Sequence, residues 1–208
     1  MMNEKIAEET GIHVGDGSMN IYNGVYCYTL ACHHIDDREF MDSYAIPMYQ
    51  QLYVVIIHPR NWSKGTYGFR IHNKEVVEFK QSMGLSLGKK TNIQIPESIL
   101  ENANFMRAFI RGFFATDGSL NTFLANKKTI YPRIEMCNVS KKLIMQINDF
   151  LVQSGFRTST WVINKNKKTW NEGLRLTITG FEMLKKWQDE IGFVNPKQIR
   201  KASTLLKK

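Results

Sequence analysis

Between Glu4 and Asp16 (EKIAEETGIHVGD) acids fill the first turns, as in a helix that places negative charge at the positive end of its dipole. Gly17 then reads as a left-handed C-terminal cap. Residues 104–117 (NFMRAFIRGFFATD) repeat this pattern, with Asn104 as N-cap and Gly118 as the terminating glycine. Behind the first helix, Tyr22–His33 alternates like a strand and Asp36–Tyr53 reads as a helix interrupted near Pro47. Val54–Pro59 and Tyr67–His72 suggest a hairpin, and Lys74–Met83 a further helix. The second half gives a strand at Ile130–Cys137, a helix at Ser140–Ser154, strands at Phe156–Ile163 and Leu174–Thr179, and a helix at Phe181–Ile191. Asp36 and Ser140 are the expected N-caps, and Lys197–Leu206 forms a closing helix.

The two series are copies. Gly11–Asn20 (GIHVGDGSMN) matches Gly112–Asn121 (GFFATDGSLN) 101 residues later, and Gly68-Phe69-Arg70-Ile71 matches Gly173-Leu174-Arg175-Leu176. Each half reads in outline as αββαββα, giving an α+β fold with a pseudo-twofold pair of halves. The first half is residues 1–88, residues 89–103 connect, and 104–208 form the second half. Gly11 and Gly15, like Gly112 and Thr116, lie one helical turn apart. Small residues at that spacing let two helices approach closely, so these two helices are expected to form the seam between the halves. Asp16 and Asp117 then emerge side by side.

Composition narrows the function classes. No apolar run reaches membrane-spanning length and no signal peptide is evident, which points to a soluble, intracellular protein. Cys27, Cys32 and Cys137 are too few for a disulfide framework, and their spacing is unsuited to zinc. Net charge is +9 but unevenly divided: −3 over residues 1–104 and +12 over 105–208. A basic half attracts polyphosphate.

A lone Asp-Gly is a common turn dipeptide. Two in matching context are expected to converge, and Asp16 and Asp117 with nearby carbonyl oxygens, from residues such as Gly15 and Thr116, would suit Mg²⁺ or Mn²⁺. Glu9–Gly17 (ETGIHVGDG) and Ile110–Gly118 (IRGFFATDG) resemble the two motifs of a LAGLIDADG homing endonuclease, and nearly the whole chain fits the single-chain, two-motif form. Both motifs are loose outside the glycines and the terminal Asp-Gly, and His13 stands where an apolar residue is usual.

The resemblance implies two antiparallel, saddle-shaped sheets over double-stranded DNA, motif helices packed at the centre, and Asp16 and Asp117 as ligands of a divalent metal. It implies a polar, water-positioning residue at the end of a strand in each half. His34 and Asn138 match best, or His33 and Cys137 if the register slips by one. It also implies lysines near the scissile phosphates: Lys90 and Lys201, with Lys89 and Lys197 as runners-up.

Strand alternation assigns the DNA-facing set. In the first half these are Asn20, Tyr22, Tyr26, Tyr28, Arg70 and His72. In the second they are Asn121, Arg133, Glu135, Trp161, Arg175 and Thr177. Lys127, Lys128, Lys165, Lys167 and Lys168 lie in basic loops suited to phosphate. The expected activity is that of a monomeric, metal-dependent endonuclease cutting both strands of a long pseudo-palindromic site. An intron RNA-binding maturase and a non-catalytic DNA-binding regulator are the alternatives. An intein origin is not expected, because the chain starts at Met1 without flanking splicing segments.

Overall fold

A computed structural model describes residues 2–63, 65–125, 129–166 and 171–207. The first motif helix, Glu4–Asp16, starts where the Asn3 side chain accepts from the Ile6 amide at 3.0 Å. The second, Ala103–Asp117, is capped by Asn102, which accepts from the amides of Asn104 and Phe105. The expected cap at Asn104 is therefore displaced by two residues. Both helices end at glycines in extended conformation (φ −78° at Gly17, −98° at Gly118), not in the left-handed caps expected from sequence. The glycines are needed for space instead. A Cβ on Gly17 would lie 2.5 Å from His13 Nδ1, and one on Gly118 2.1 Å from the Phe114 ring.

Each helix runs directly into a strand, and each half builds a four-stranded antiparallel sheet. The first contains β1 (Gly17–Tyr22), β2 (Val25–His33), β3 (Arg60–Ser63) and β4 (Thr66–Ile71) in the order β1-β2-β4-β3. The second repeats this with β5 (Gly118–Ala125), β6 (Thr129–Asn138), β7 (Thr158–Ile163) and β8 (Gly173–Thr179), ordered β5-β6-β8-β7. Asn23 and Gly24, with φ of 48° and 81°, form the two-residue turn that joins β1 to β2.

Val54–Pro59 is not a strand. Val54 adopts φ 50° and ends the helical stretch 38–53, and pairing with β4 begins only at Arg60. That helical stretch contains a π-turn at Met41–Ala45, one residue short of Pro47. Proline lacks an amide donor and crowds the carbonyl four residues back, so the widened turn accommodates it.

Apolar residues from both halves form one continuous core, including Leu30, Phe69, Phe113, Leu176 and Trp187. The connecting segment binds to both halves. Lys90 Nζ donates to Val14 O at 2.8 Å, and Ser140 Oγ donates to Ile93 O at 2.5 Å. Ser140 therefore precedes its helix, Lys141–Gln153, without capping it. Asp37, not Asp36, precedes the helical stretch 38–53, also without a side-chain cap. No described helix is long and apolar enough to cross a membrane.

Candidate active site and nucleic-acid face

The two motif helices touch backbone to backbone. A Cβ on Gly11 would sit 2.1 Å from Phe109 O, one on Gly112 2.0 Å from Glu8 O, and one on Gly15 2.0 Å from Thr116 Oγ1. Ion pairing across the seam is one-sided: buried Glu8 accepts from Arg111 Nε at 2.5 Å and from the Tyr44 hydroxyl. Arg111 also donates to Ile191 O.

At the far end of the seam Asp16 and Asp117 come together, partly buried, and the Asp117 carboxyl carbon lies 3.5 Å from a Cβ built on Gly15. Burial and then the neighbouring Asp117 carboxylate push the Asp16 pKa up to about 7. Asp117 is raised as well, chiefly by burial, against the opposing pull of Lys90 and of a hydrogen bond from Asn138 Nδ2 (3.2 Å). Among the described residues neither acid forms a salt bridge. Two crowded carboxylates with raised pKa values are a donor set that fits a hard divalent ion.

The ammonium groups nearby are held by other acceptors. Lys90 Nζ donates to the carbonyls of His13, Val14 and Gly15 at 3.0, 2.8 and 2.6 Å, closing the end of the first motif helix. Burial lowers its pKa to about 8 despite the pull of both acids. The matching carbonyls of the second helix receive amides: Gln198 Nε2 donates to Phe114 O and Asn195 Nδ2 to Ala115 O. The Gly15 carbonyl, expected to face metal, is therefore taken by Lys90, and the Thr116 hydroxyl turns back to Phe113 O at 3.0 Å. Lys201 lies away from the acids, 3.5 Å from Asn121 Oδ1, and Lys89 is exposed. Lys197 is the lysine of that pair that reaches the site, through Asp37 at 2.5 Å.

Register corrects the water-positioning pair. Gly17 pairs with Leu30 and Gly118 with Met136, so Asn138 corresponds to Cys32, not to His34. The loop from strand to helix is longer in the first half, which misaligns any comparison made through the caps. His34 lies beyond β2, beside His33 (ring centroids 5.1 Å apart). The Cys32 thiol is raised to about 12 by burial and by Asp37 and Asp16, so it remains neutral beside the first acid.

The same registers shift the arginines. Leu30 pairs with Phe69 and Met136 with Leu176, so Arg70 corresponds to Thr177 and Arg175 to Gly68. Both arginines lie on the sheet face away from the core, each over an indole: Arg70 over Trp62 at 5.0 Å, Arg175 over Trp161 at 5.9 Å. Trp62 was not evident from sequence because it sits at a register shift in β3. On the second sheet Glu135 lies between Arg133 (3.4 Å), Arg175 (3.6 Å) and Asn121 (3.1 Å). Thr177 shares that face but is buried, its hydroxyl 3.5 Å from Ser159 O.

On the first sheet Asn20 and Tyr22 pair with Cys27 and Val25 on the open face, and exposed His72 follows β4. Tyr28 is on the other side: it is wholly buried, 2.6 Å from the Tyr49 hydroxyl. Tyr26 shares the core side, under Lys74. A two-residue turn pairs Tyr22 with Val25, so even-numbered positions change face between β1 and β2. Lys165 is exposed, whereas Lys127, Lys128, Lys167 and Lys168 lie outside the described residues.

Two pseudo-symmetric halves thus meet at a glycine-lined helical seam that ends in paired carboxylates, with a four-stranded sheet on either side. Residues 104–192 match the family model of a LAGLIDADG-like domain. The fold is that of the homing endonuclease I-DmoI in complex with DNA and Ca: TM-score 0.67, 17% identity, 99% of this chain and 98% of that chain. It is also that of the meganuclease I-SmaMI bound to uncleavable DNA: TM-score 0.59, 10% identity, covering 94% and 87%.

Among curated proteins, the chain is 23% identical over 205 residues to the replication factor C small subunit of Methanocaldococcus jannaschii, covering 99% of this chain and 10% of that protein. It is 26% identical over 169 residues to the glutamine–fructose-6-phosphate aminotransferase of the same organism, covering 77% and 14%. The chain thus spans about a tenth to a fifth of the curated relatives it matches.

Proposed function

We propose that the protein is a site-specific DNA endonuclease that hydrolyses one phosphodiester in each strand of a long, imperfectly palindromic duplex site, acting as a monomer with Mg²⁺ or Mn²⁺. The observation that carries this reading is the pair Asp16 and Asp117, crowded together at the end of the seam with no salt bridge to either among the described residues. Similar solved proteins are homing endonucleases held with DNA and Mn or Ca. A divalent ion, when bound, would activate water and shield the departing 3′ oxygen.

The chain's own residues supply the rest. Asp16 and Asp117 would hold the ion, and Asn138 orients Asp117 through its amide. Lys90 places a cation near both acids without neutralising either. The open faces of the two sheets carry Arg70 over Trp62 and Arg175 over Trp161, and guanidinium groups suit guanine edges in the major groove.

The test is selection of cleaved sequences from a randomised duplex library, followed by assay of Asp117→Asn on the recovered site. The variant should bind that site within about threefold of the parent protein and fail to linearise a plasmid carrying it. Linearisation at the parental rate would overturn the assignment.

A further inference from the structure

Lys197 approaches the paired acids from the last helix, Pro196–Leu206, and an acid on the opposite half of the molecule holds it there. Asp37 Oδ1 accepts from Lys197 Nζ at 2.5 Å and from Asn195 Nδ2 at 3.0 Å. Asn195 is wholly buried and joins three elements. Its Oδ1 caps the last helix at the Lys197 amide (3.2 Å), and its Nδ2 donates both to Asp37 and to the Ala115 carbonyl of the second motif helix (2.9 Å). Asp37 and Lys197 both act electrostatically on Asp16; Lys90 acts on both acids, and Asn138 on Asp117.

The two acids therefore have different companions. Asp117 has the Asn138 amide, and Asp16 has the neutral Cys32 thiol, Asp37 and Lys197. A free ammonium beside a buried carboxylate would close onto it and compete with a divalent ion. Tied to Asp37, the Lys197 ammonium stays near Asp16 and leaves its oxygens available.

We infer that Asp37 is a positioning residue that holds Lys197 for cleavage of one strand only, so that the two strands are cut by unequal machinery. This rests on the endonuclease reading given above. Among the described residues the Asp37–Lys197 contact has no counterpart around Asp117, and Lys90, which lies near both acids, is held by main-chain carbonyls.

The experiment follows each strand of the selected duplex by separate end labels, in the full-length protein with saturating Mg²⁺. Asp37→Asn should slow one strand at least tenfold more than the other, so that nicked circles accumulate from supercoiled plasmid. Lys197→Met should slow the same strand, and the double variant should be no slower than the worse single one. Arg200→Ala removes a neighbouring tie between the same two elements, the bidentate Arg200–Glu39 pair at 2.8 Å, without touching Lys197. It should affect both strands alike and so controls for loosened docking. Equal slowing of both strands by Asp37→Asn, or additive effects in the double variant, overturns the inference while leaving the endonuclease reading intact. A parent protein that cuts no DNA removes both.

Discussion

The α-carbon of Gly112 lies against the carbonyl of Glu8, so closely that any side chain there would meet that oxygen at 2.0 Å. Both partners are main chain, and neither can rotate away. Gly112→Ala should therefore force the motif helices apart and lower stability by about 3 kcal/mol, the upper range for overpacking. Gly15→Ala meets side chains alone, those of Thr116 and Asp117, and should cost less. Urea unfolding of both variants checks the order; a Gly112→Ala protein within about 0.5 kcal/mol of the parent would contradict this account of the seam.

His13 is wholly buried with neither ring nitrogen hydrogen-bonded. Burial, reinforced by Lys80 and Lys90, holds its pKa well below 6.5. The unfolded chain takes up the proton first as pH falls through about 6.5, so stability present above that pH is lost below it. His13→Leu should remove this acid-side loss and stabilise the protein by about 1–3 kcal/mol at neutral pH, since an unpaired polar group is replaced by an apolar one. Melting temperatures from pH 5 to 8 decide it: parallel curves for the two proteins would count against a buried neutral histidine.

Lys80 and Glu9 form an ion pair with no exposure, Nζ to oxygen 2.5 and 2.7 Å, with the ammonium facing the rings of Tyr28, Tyr49 and Tyr53. The Tyr53 hydroxyl donates to the same carboxylate at 2.9 Å. Lys80→Met leaves that carboxylate buried without its cation and should cost about 3–5 kcal/mol. Adding Glu9→Gln should recover most of the loss, and denaturant midpoints of the single and double variants measure the coupling. No recovery in the double variant would show that packing, not charge, dominates.

Arg175 corresponds to Gly68 and Arg70 to Thr177, so the two arginines stand two residues apart relative to the symmetry of the sheets. Two residues of strand span about 7 Å, close to two base-pair steps. Arg175 pairs with Cys137 near Asp117, placing it nearer the acids than Arg70. Base-preference profiles should show Arg175→Ala relaxing a position about two base pairs closer to the cut than Arg70→Ala, each by about 1–3 kcal/mol. Relaxation at symmetry-related positions would contradict the register.

The repeated motif made the seam and both acids legible in the sequence, because glycine spacing and a terminal Asp-Gly depend only on local geometry. The four-strand sheets were only half legible. β1 and β5 follow each motif without a break, and the Asn23-Gly24 turn inverts the alternation between β1 and β2, so Tyr26 and Tyr28 lie on the core side and not with Tyr22. Cys32 beside Asp16 depends on pairing between strands distant in sequence, and no local pattern marks it. Glu9, Lys80 and Asp37 look like ordinary surface charges until their partners, up to 160 residues away, come into place. Lys201 and Lys197 lie one turn apart on one helix, and only the fold distinguishes them.

The Glu8–Arg111 bond crosses the pseudo-twofold axis once. By the repeat offset Glu8 corresponds to Phe109, and Arg111 to Thr10. Two copies of the first half, docked on themselves, would bury two acids opposite threonines. Two copies of the second would set arginines against phenylalanines. Either homodimer strands charge that the native pairing satisfies, so this single contact acts as an orthogonality device. Anyone recombining such halves into chimeric proteins would need to transplant Glu8 and Arg111 together, or reverse them together, to control which half finds which.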